Sequence, residues 1–191
     1  MAAAKTTVAY VLSMAVADNV FMGGAMVTDT QGLPLEFRYT EPVRATKLQR
    51  VLYGDVLERY IHGDVVAANL ISRLEQKPEL FLVGDAALLP ALVAGGKKAA
   101  LLLPTRLPPL KEWGAEQVVA DDELLLQVSE TGSPLRVRFA SDVDSARKIE
   151  TVRCLLDICR TMDALEPLSR LETAVRMLWE DVPETPIAAP A

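Results

Sequence analysis

Histidine and cysteine are nearly missing from this chain of 191 residues, which contains one histidine, His62, and two cysteines, Cys154 and Cys159. A structural zinc site takes about four Cys or His ligands, so one copy of the chain cannot build the usual site. Two cysteines also make no disulfide framework. A nucleophilic triad needs a base, and the position of His62 beside Gly63, at a predicted helix end, favours contact with the helix carbonyls instead. Carboxylates are therefore the credible catalytic groups of this sequence.

Long apolar runs and an excess of positive charge are also lacking. No run approaches the roughly 18 to 20 apolar residues of a membrane-spanning helix, so we predict no membrane partner. Lysine and arginine together number 20 against 26 aspartates and glutamates, a net charge of −6. Sequence-independent binding to phosphates needs a field of Lys and Arg. The charge balance argues against such binding, although a local basic patch stays open.

The opening segment, MAAAKTTVAYVLSMAVADN, superficially resembles a secretory signal. An early Lys5 precedes an apolar stretch, and a triplet of small and apolar residues follows at 15–17. However, Val, Tyr and Thr favour a strand, and Ser13 interrupts the apolar stretch. We therefore predict that this segment is the first strand of a cytoplasmic protein.

The first forty residues predict an antiparallel hairpin sheet. Strand-forming residues span 7–14 and 20–28, and apolar and polar residues alternate over 33–40. The link DTQG at 29–32 has turn chemistry. The glycine pair at 23–24 indicates a bulge or the close approach of another element or a ligand.

Helical and strand patterns alternate in the centre of the chain. Apolar residues recur at three- and four-residue steps from Leu48 to Leu74, which predicts two helices in series, the first ending at Gly63 and the second capped by Asp64.

A small parallel α/β unit is predicted next. Apolar runs at 80–83 and 99–103 flank a helical segment at 86–93.

A second hairpin is predicted at 124–130 and 135–140, before two helices joined near Asp163. Residues 32–39 align without gaps with residues 132–139. A duplicated β-β-α unit explains this repeat, and so does convergence on the same turn chemistry. Both explanations stay open.

The prolines between Pro104 and Pro109 mark the best candidate for an internal boundary. We predict an N-terminal α/β domain at 1–103, and a hairpin plus helical hairpin at 104–182 in the same domain or a second one. The tail 183–191, PETPIAAPA, is predicted to be mobile. The fold class is α/β with α+β character: an N-terminal antiparallel hairpin sheet, a central short α/β unit, a second hairpin and a C-terminal helical hairpin.

Three carboxylates lie where they could share one edge of a sheet. Asp18 follows the first strand, Glu58 lies on the long helical segment, and Asp85 follows an apolar strand. Three antiparallel strands, a helix and a strand ending in Asp resemble the element order of ribonuclease H-like nucleases, whose clustered carboxylates hold two divalent ions. The resemblance implies catalysis by Asp18, Glu58 and Asp85, with Mg²⁺ held by Asp18 and Asp85. In that family the leading Asp lies inside the first strand, whereas Asp18 falls in a turn.

Two surfaces are candidates for contact with a partner. A basic cluster surrounds the first hairpin and the next helix, and it either grips an acidic partner or forms a salt-bridged surface with nearby glutamates. An apolar stripe on the last helix packs either on another chain or on its own sheet. The basic cluster consists of Arg38, Arg44, Lys47 and Arg50. The apolar stripe consists of Leu168, Leu171, Val175 and Leu178.

The segment VTDTQGLPL at 27–35 resembles the central hairpin of roadblock and longin-type regulatory domains, small α/β proteins that dimerise and bind GTPases or assembly partners. Because no catalytic or metal constellation is convincing, the sequence favours a non-catalytic, regulatory assembly subunit of a cytoplasmic complex. Such a subunit binds a protein partner or a second copy of itself and needs no cofactor. The alternative is a divalent-metal nuclease or phosphodiesterase that acts on nucleic acid with Mg²⁺.

Overall fold

The computed structural model describes residues 6–182 of the chain, and the predicted mobile tail lies outside the described residues. The strands are β1 (Thr7–Ala17), β2 (Val20–Asp29), β3 (Pro34–Tyr39), β4 (Val43–Arg44), β5 (Leu80–Val83), β6 (Ala99–Leu103), β7 (Glu116–Ala120), β8 (Glu123–Leu126) and β9 (Leu135–Arg138). The helices are α1 (Lys47–Tyr53), α2 (Leu57–Tyr60), α3 (Ala68–Ser72), α4 (Leu89–Ala94), α5 (Ser145–Cys159) and α6 (Glu166–Glu180). The nine strands of the described range form one sheet in the order β3-β2-β1-β5-β6-β9-β8-β7, with β4 paired to β2.

The predicted N-terminal hairpin sheet is confirmed. β1 and β2 pair antiparallel along almost their whole length, and β3 pairs antiparallel with the outer side of β2. Asp29 organises the turn between β2 and β3, because its Oδ1 accepts the N–H groups of Gln31 and Leu33 at 2.9 and 3.0 Å. The two-residue β4, which the sequence pattern does not predict, pairs with the start of β2.

The predicted parallel α/β unit is also confirmed. β5 and β6 pair in parallel, and α4 lies between them in the chain. β5 pairs in parallel with β1 as well. The carboxyl ends of β1 and β5 therefore lie at the same edge of the sheet.

The second hairpin, β8 with β9, extends the same sheet. β9 pairs antiparallel with β6, so strands from both sides of the proline-rich link at 104–109 share one sheet. The edge strand β7 has no buried residue, which explains why no apolar pattern predicts it. The domain boundary at residue 103 and the duplicated unit stay predictions.

Helices cover both faces of the sheet, as the α/β fold class predicts. Val8 and Tyr10 of β1 face the core that α5 and α6 cover, whereas Ala9 and Val11 face the core that α2, α3 and α4 cover. None of the helices in residues 6–182 has the length and apolar character that crossing a membrane requires.

The glycine pair in β2 lies where helices from both faces approach the sheet. A Cβ added at Gly23 would lie 2.3 Å from Val66 Cγ1, and one added at Gly24 would lie 2.9 Å from Leu171 Cδ1. The irregular register between β1 and β2 is elsewhere, at 15–17. Close approach of other elements of the chain, one of the alternatives that the sequence left open, therefore explains both glycines.

The helical segment after the first sheet breaks at Gly54 and not at Gly63. Gly54 ends α1 with φ of 51°, in the region that favours glycine. From α2 the helix continues into α3 through a π-helical segment, Ile61–Ala67. The predicted helix end at Gly63, with Asp64 as the next cap, is therefore wrong. Such π-helical stretches are frequent at functional sites.

The apolar stripe of α6 is covered by the chain itself. Leu171 and Val175 are fully buried, and Leu168 and Leu178 are partly buried in the same core, against β1 and β2. These four side chains stabilise the fold, so they do not form the partner surface that the sequence analysis proposed for them.

Candidate active site at the ends of strands β1 and β5

A serine and the single histidine of the chain meet near the carboxyl end of β1. Ser13 points to the same face as Ala9 and Val11, because alternate residues of a strand share a face, and only 4% of its surface is exposed. The helix above this face carries His62, whose Nδ1 lies 2.7 Å from Ser13 Oγ. This contact engages Nδ1 and leaves Nε2 for a second partner.

The imidazole of His62 is fixed on a second side by Phe21. The two rings meet edge to face, with centroids 5.2 Å apart and planes at 88°. His62 itself is partly exposed. When Nδ1 carries the proton it donates to Ser13 Oγ, and Nε2 is free to accept a proton; in the other tautomer Ser13 donates and Nε2 carries the N–H. The ring is therefore held on two sides, and Nε2 lies outside the contact with Ser13.

Asp85 lies at the same edge of the sheet as Ser13. The last parallel pair between β1 and β5 is Val11 with Val83. Ser13 and Asp85 each follow that pair by two residues. The parallel register therefore places both residues at the same edge, each two residues beyond the last backbone pair.

The helical segment that carries His62 also packs near Asp85. Asp85 Oδ1 accepts the N–H of Ala87 at 2.8 Å and so caps the helical turn that leads into α4. A Cβ added at Gly63 would lie 3.1 Å from the Ala87 carbonyl oxygen. Three segments of the chain thus converge at this edge: the end of β1 with Ser13, the π-helical segment with His62, and the turn that begins at Asp85.

Asp18 and Glu58 do not join this cluster. Asp18 is exposed in the turn after β1. It lies five residues past Ser13, which is roughly 17 Å at about 3.3 Å per strand residue. Glu58 is exposed on α2, one helical turn before His62. The expected convergence of Asp18 and Glu58 with Asp85 is not formed, because β1 runs on beyond the end of β5 and α2 presents Glu58 to solvent.

The donor set at this edge does not fit a two-metal centre. Within residues 6–182, no three His, Cys, Asp or Glu side chains are grouped so that they could hold a metal ion. The inward side chain of β1 at the edge is Ser13, a neutral hydroxyl, whereas Mg²⁺ in proteins is bound chiefly through carboxylates. The geometry does not support the Mg²⁺ site that was expected from Asp18 and Asp85.

A polar cleft lies further along the same helix. Its volume is about 530 Å³, and it opens between α3 and the strands β3 and β4. Asn69 and Arg73 line one side, and Arg38 and Thr40 line the other. Asn69 follows His62 by seven residues, roughly 10 Å along a helix axis. The cleft therefore lies roughly 10 Å from the imidazole along the helix.

The four residues of the predicted basic cluster do not form one group in the structure. The Arg38 guanidinium lies 2.8 Å from Glu36 Oε1 and 2.6 Å from Glu75 Oε1, so it is engaged within the chain. The other three members are exposed around the start of α1, and they are Arg44, Lys47 and Arg50.

The same fold occurs in solved structures of endonuclease V. Human endonuclease V has a TM-score of 0.64 at 14% identity, with 92% of this chain and 85% of that chain covered. Endonuclease V from Streptomyces avermitilis has a TM-score of 0.62 at 16% identity, with 93% and 82% covered. Ciona intestinalis endonuclease V, in complex with a 24mer DNA containing an inosine followed by a ribo-adenosine, has a TM-score of 0.58 at 10% identity, with 94% and 88% covered. This chain has the endonuclease V fold.

The endonuclease V fold corrects the functional prediction. No protein-family profile and no curated protein matches the sequence of the chain. Solved structures of endonucleases match it along nearly its full length. The prediction of a non-catalytic, regulatory assembly subunit is wrong, and the nuclease alternative fits these comparisons better.

Sequence reasoning missed the pairing of Ser13 with His62. One signal was available, since Ser13 follows Ala9 and Val11 in the inward register of an apolar strand, where a buried hydroxyl needs a partner. That partner lies 49 residues away in the sequence, beyond the range of any local pattern.

Proposed function

We propose that this chain is a nuclease that cleaves phosphodiester bonds in DNA or RNA, with His62 as its catalytic proton-transfer residue. The observation that carries the proposal is the fixed Ser13–His62 pair at the carboxyl edge of β1 and β5, in a fold shared with endonucleases. Sites in open α/β sheets lie at the carboxyl ends of the parallel strands. The pair lies at such an edge.

The chemistry needs one proton removed from the attacking oxygen and one supplied to the leaving oxygen. Nε2 of His62 accepts the proton of a water molecule or a ribose hydroxyl while that oxygen bonds to phosphorus. The bond from phosphorus to the leaving oxygen breaks, and the imidazolium returns the proton to the leaving oxygen. Ser13 positions the ring through Nδ1.

A cleavage assay on a defined panel of strands tests this proposal. Because Ciona endonuclease V was solved with DNA containing an inosine followed by a ribo-adenosine, the panel includes that design, inosine-containing DNA, unmodified DNA and RNA. Each is tested single- and double-stranded, in EDTA, Mg²⁺ and Mn²⁺. Wild-type protein is expected to cleave at least one member of the panel. His62→Ala should slow that cleavage by about 100-fold or more, since general acid–base catalysis contributes about 10²- to 10⁴-fold.

Asp18→Asn is the matched control, because it neutralises an exposed carboxylate outside the cluster. Its cleavage rate should stay within about twofold of wild type, as expected for an exposed residue away from the chemistry. Equal cleavage by wild type and His62→Ala, or none by the wild type on any strand, contradicts the proposal.

A second candidate function is recognition of nucleic acid without cleavage. One observation favours it, because residues 6–182 hold no group of carboxylates arranged for a metal ion. Under this alternative, wild type and His62→Ala bind a member of the same panel equally in a gel-shift assay, and neither cleaves it.

A further inference from the structure

The first helix after the N-terminal sheet stands off the body of the protein. None of the seven residues of α1 is buried. Leu48, Val51 and Leu52 expose 66%, 81% and 70% of their surface. Over residues 46–60, which we call the arm, Leu57 is the one buried side chain.

The exposed apolar side chains of α1 form a single stripe. Leu48, Val51 and Leu52 lie at positions i, i+3 and i+4, which share one face of a helix. A helix of two turns is marginal in water without packing, and here a capping box between Thr46 and Gln49 supports its first turn. Contiguous exposed apolar surface marks an interaction site. The stripe is therefore a surface suited to cover by another molecule.

Further apolar surface continues past the bend at Gly54. Val56 exposes 46% of its surface, and the rings of Tyr53 and Tyr60 stack with centroids 4.9 Å apart. Specific interfaces bury about 800 Å² on each partner. Such an interface takes about 20 to 30 residues from each partner, and the arm spans only residues 46–60, so we expect a reversible, micromolar association of two arms.

Charge is ordered along the arm. Lys47 and Arg50 lie in its first half, whereas Asp55, Glu58 and Arg59 lie in its second half. The first half is thus positive, and the second half has a net negative charge. An antiparallel pair of arms sets the basic half of one copy against the acidic half of the other, and it also opposes the two helix dipoles. A parallel pair would place like charges together.

We propose that the arm is a self-association surface, on which α1 packs antiparallel against α1 of a second copy across a two-fold axis. In a two-fold contact the stripe of one copy packs against the same stripe of the other copy, and the assembly stops at a dimer. A nucleic-acid strand is the poorer occupant, because it would contact the basic residues and tyrosines of the arm and leave the aliphatic stripe of Leu48, Val51 and Leu52 uncovered. The arm continues through α2 into the segment that carries His62, so the dimer anchors the end of that helix.

Sedimentation velocity of the purified full chain tests the proposal. Between about 1 and 200 µM, a range chosen around micromolar affinity, the wild type should pass from monomer to dimer. Val51→Glu should raise the dimer dissociation constant by about tenfold or more, because it places a charge in an apolar contact. Ile149→Glu is the matched control, since Ile149 exposes 59% of its surface on α5, and it should dimerise as the wild type does. Circular dichroism checks that each variant is folded.

Charge reversal tests the antiparallel arrangement. Lys47→Glu should weaken the dimer, and Lys47→Glu combined with Asp55→Lys should restore it. A wild type that stays monomeric over the whole range overturns the proposal. So does a dimer that Val51→Glu leaves unchanged, or one that the double reversal fails to restore.

Discussion

Ser13 Oγ and His62 Nδ1 lie 2.7 Å apart, where β1 passes beneath the helix that covers it. The contact joins a buried strand hydroxyl to a partly exposed ring that also packs on Phe21. This hydroxyl–imidazole pair occupies the edge at which a cluster of carboxylates was expected. The proposed nuclease chemistry therefore depends on how firmly Ser13 holds the imidazole.

Replacing Ser13 by alanine should impair cleavage without unfolding the protein. The imidazole loses its anchor, and small misplacements of a catalytic group cost about 10- to 100-fold in rate. The substitution should lower kcat and leave KM nearly unchanged, because Ser13 is buried and does not contact the nucleic-acid substrate. Ser13→Thr, which keeps a hydroxyl, should recover part of the rate. Cleavage by Ser13→Ala at the wild-type rate would contradict the role of Ser13 in positioning the imidazole.

The polar cleft should contribute to strand binding. Arg73 is exposed at its edge and is suited to contact a phosphate. Arg73→Ala should raise KM by about 10- to 150-fold, the loss expected for one charge-assisted contact, with kcat unchanged. Arg176→Ala, on the opposite face of the sheet, serves as the control for lost charge. Equal effects of the two substitutions would show that only net charge matters.

Gly23→Ala should destabilise the fold. The new Cβ would lie 2.3 Å from Val66 Cγ1 and 2.8 Å from the Leu12 carbonyl oxygen, so the helix above β2 must move. Overpacking of this kind costs about 1 to 3 kcal/mol, measurable by urea denaturation. At Gly84 an added Cβ meets nothing within 4 Å, and Gly84→Ala should therefore leave the unfolding midpoint nearly unchanged. A neutral Gly23→Ala would contradict the close packing described here.

An ion pair between a buried carboxylate and a partly exposed arginine makes the stability of the protein depend on pH. Glu123 is buried, and its Oε2 accepts a hydrogen bond from Arg138 Nε at 2.9 Å. This bond, with the nearby charge of Arg136, holds the pKa of Glu123 below its usual value. A carboxyl whose pKa is lower in the folded state stabilises the fold above its ordinary pKa, and that contribution is lost as the pH falls through the folded pKa.

The free energy of unfolding should therefore fall as the pH drops from about 5 to 3, the window in which an ordinary Glu begins to be protonated. Glu123→Gln should be less stable at pH 7 and should lose less stability over that window. Urea denaturation at several pH values measures both effects. Glu150→Gln, at an exposed and looser pair with Lys98, is the control. An unchanged pH slope in Glu123→Gln would contradict the assignment.

Local patterns in the sequence account for much of the fold. Alternating side chains predict the strands of the N-terminal sheet, the turn at Asp29 follows from its side chain, and continuous apolar runs predict β5 and β6. The exposed edge strand β7 has no such pattern. The unbroken helix through Gly63 also departs from local preference, because tertiary packing holds that glycine against Ala87.

The candidate site was less predictable because it depends on contacts that are distant in sequence. Asp85 was placed correctly after its strand, since a strand end can be read locally. Whether Asp18 reaches it depends on how far β1 runs past β5, which only the parallel register decides. In the same way, the pairing of Ser13 with His62 required knowing which helix covers β1.

The most direct test of the proposed nuclease site compares wild type with His62→Ala. Both proteins are purified in parallel and assayed on the end-labelled strand that the wild type cleaves fastest. Wild type is expected to cut the strand and His62→Ala to be slower by about 100-fold or more, while both proteins show the same circular dichroism and the same strand affinity. Equal rates for the two proteins, or an intact strand with both, would contradict the claim that this edge of the sheet is a nuclease site.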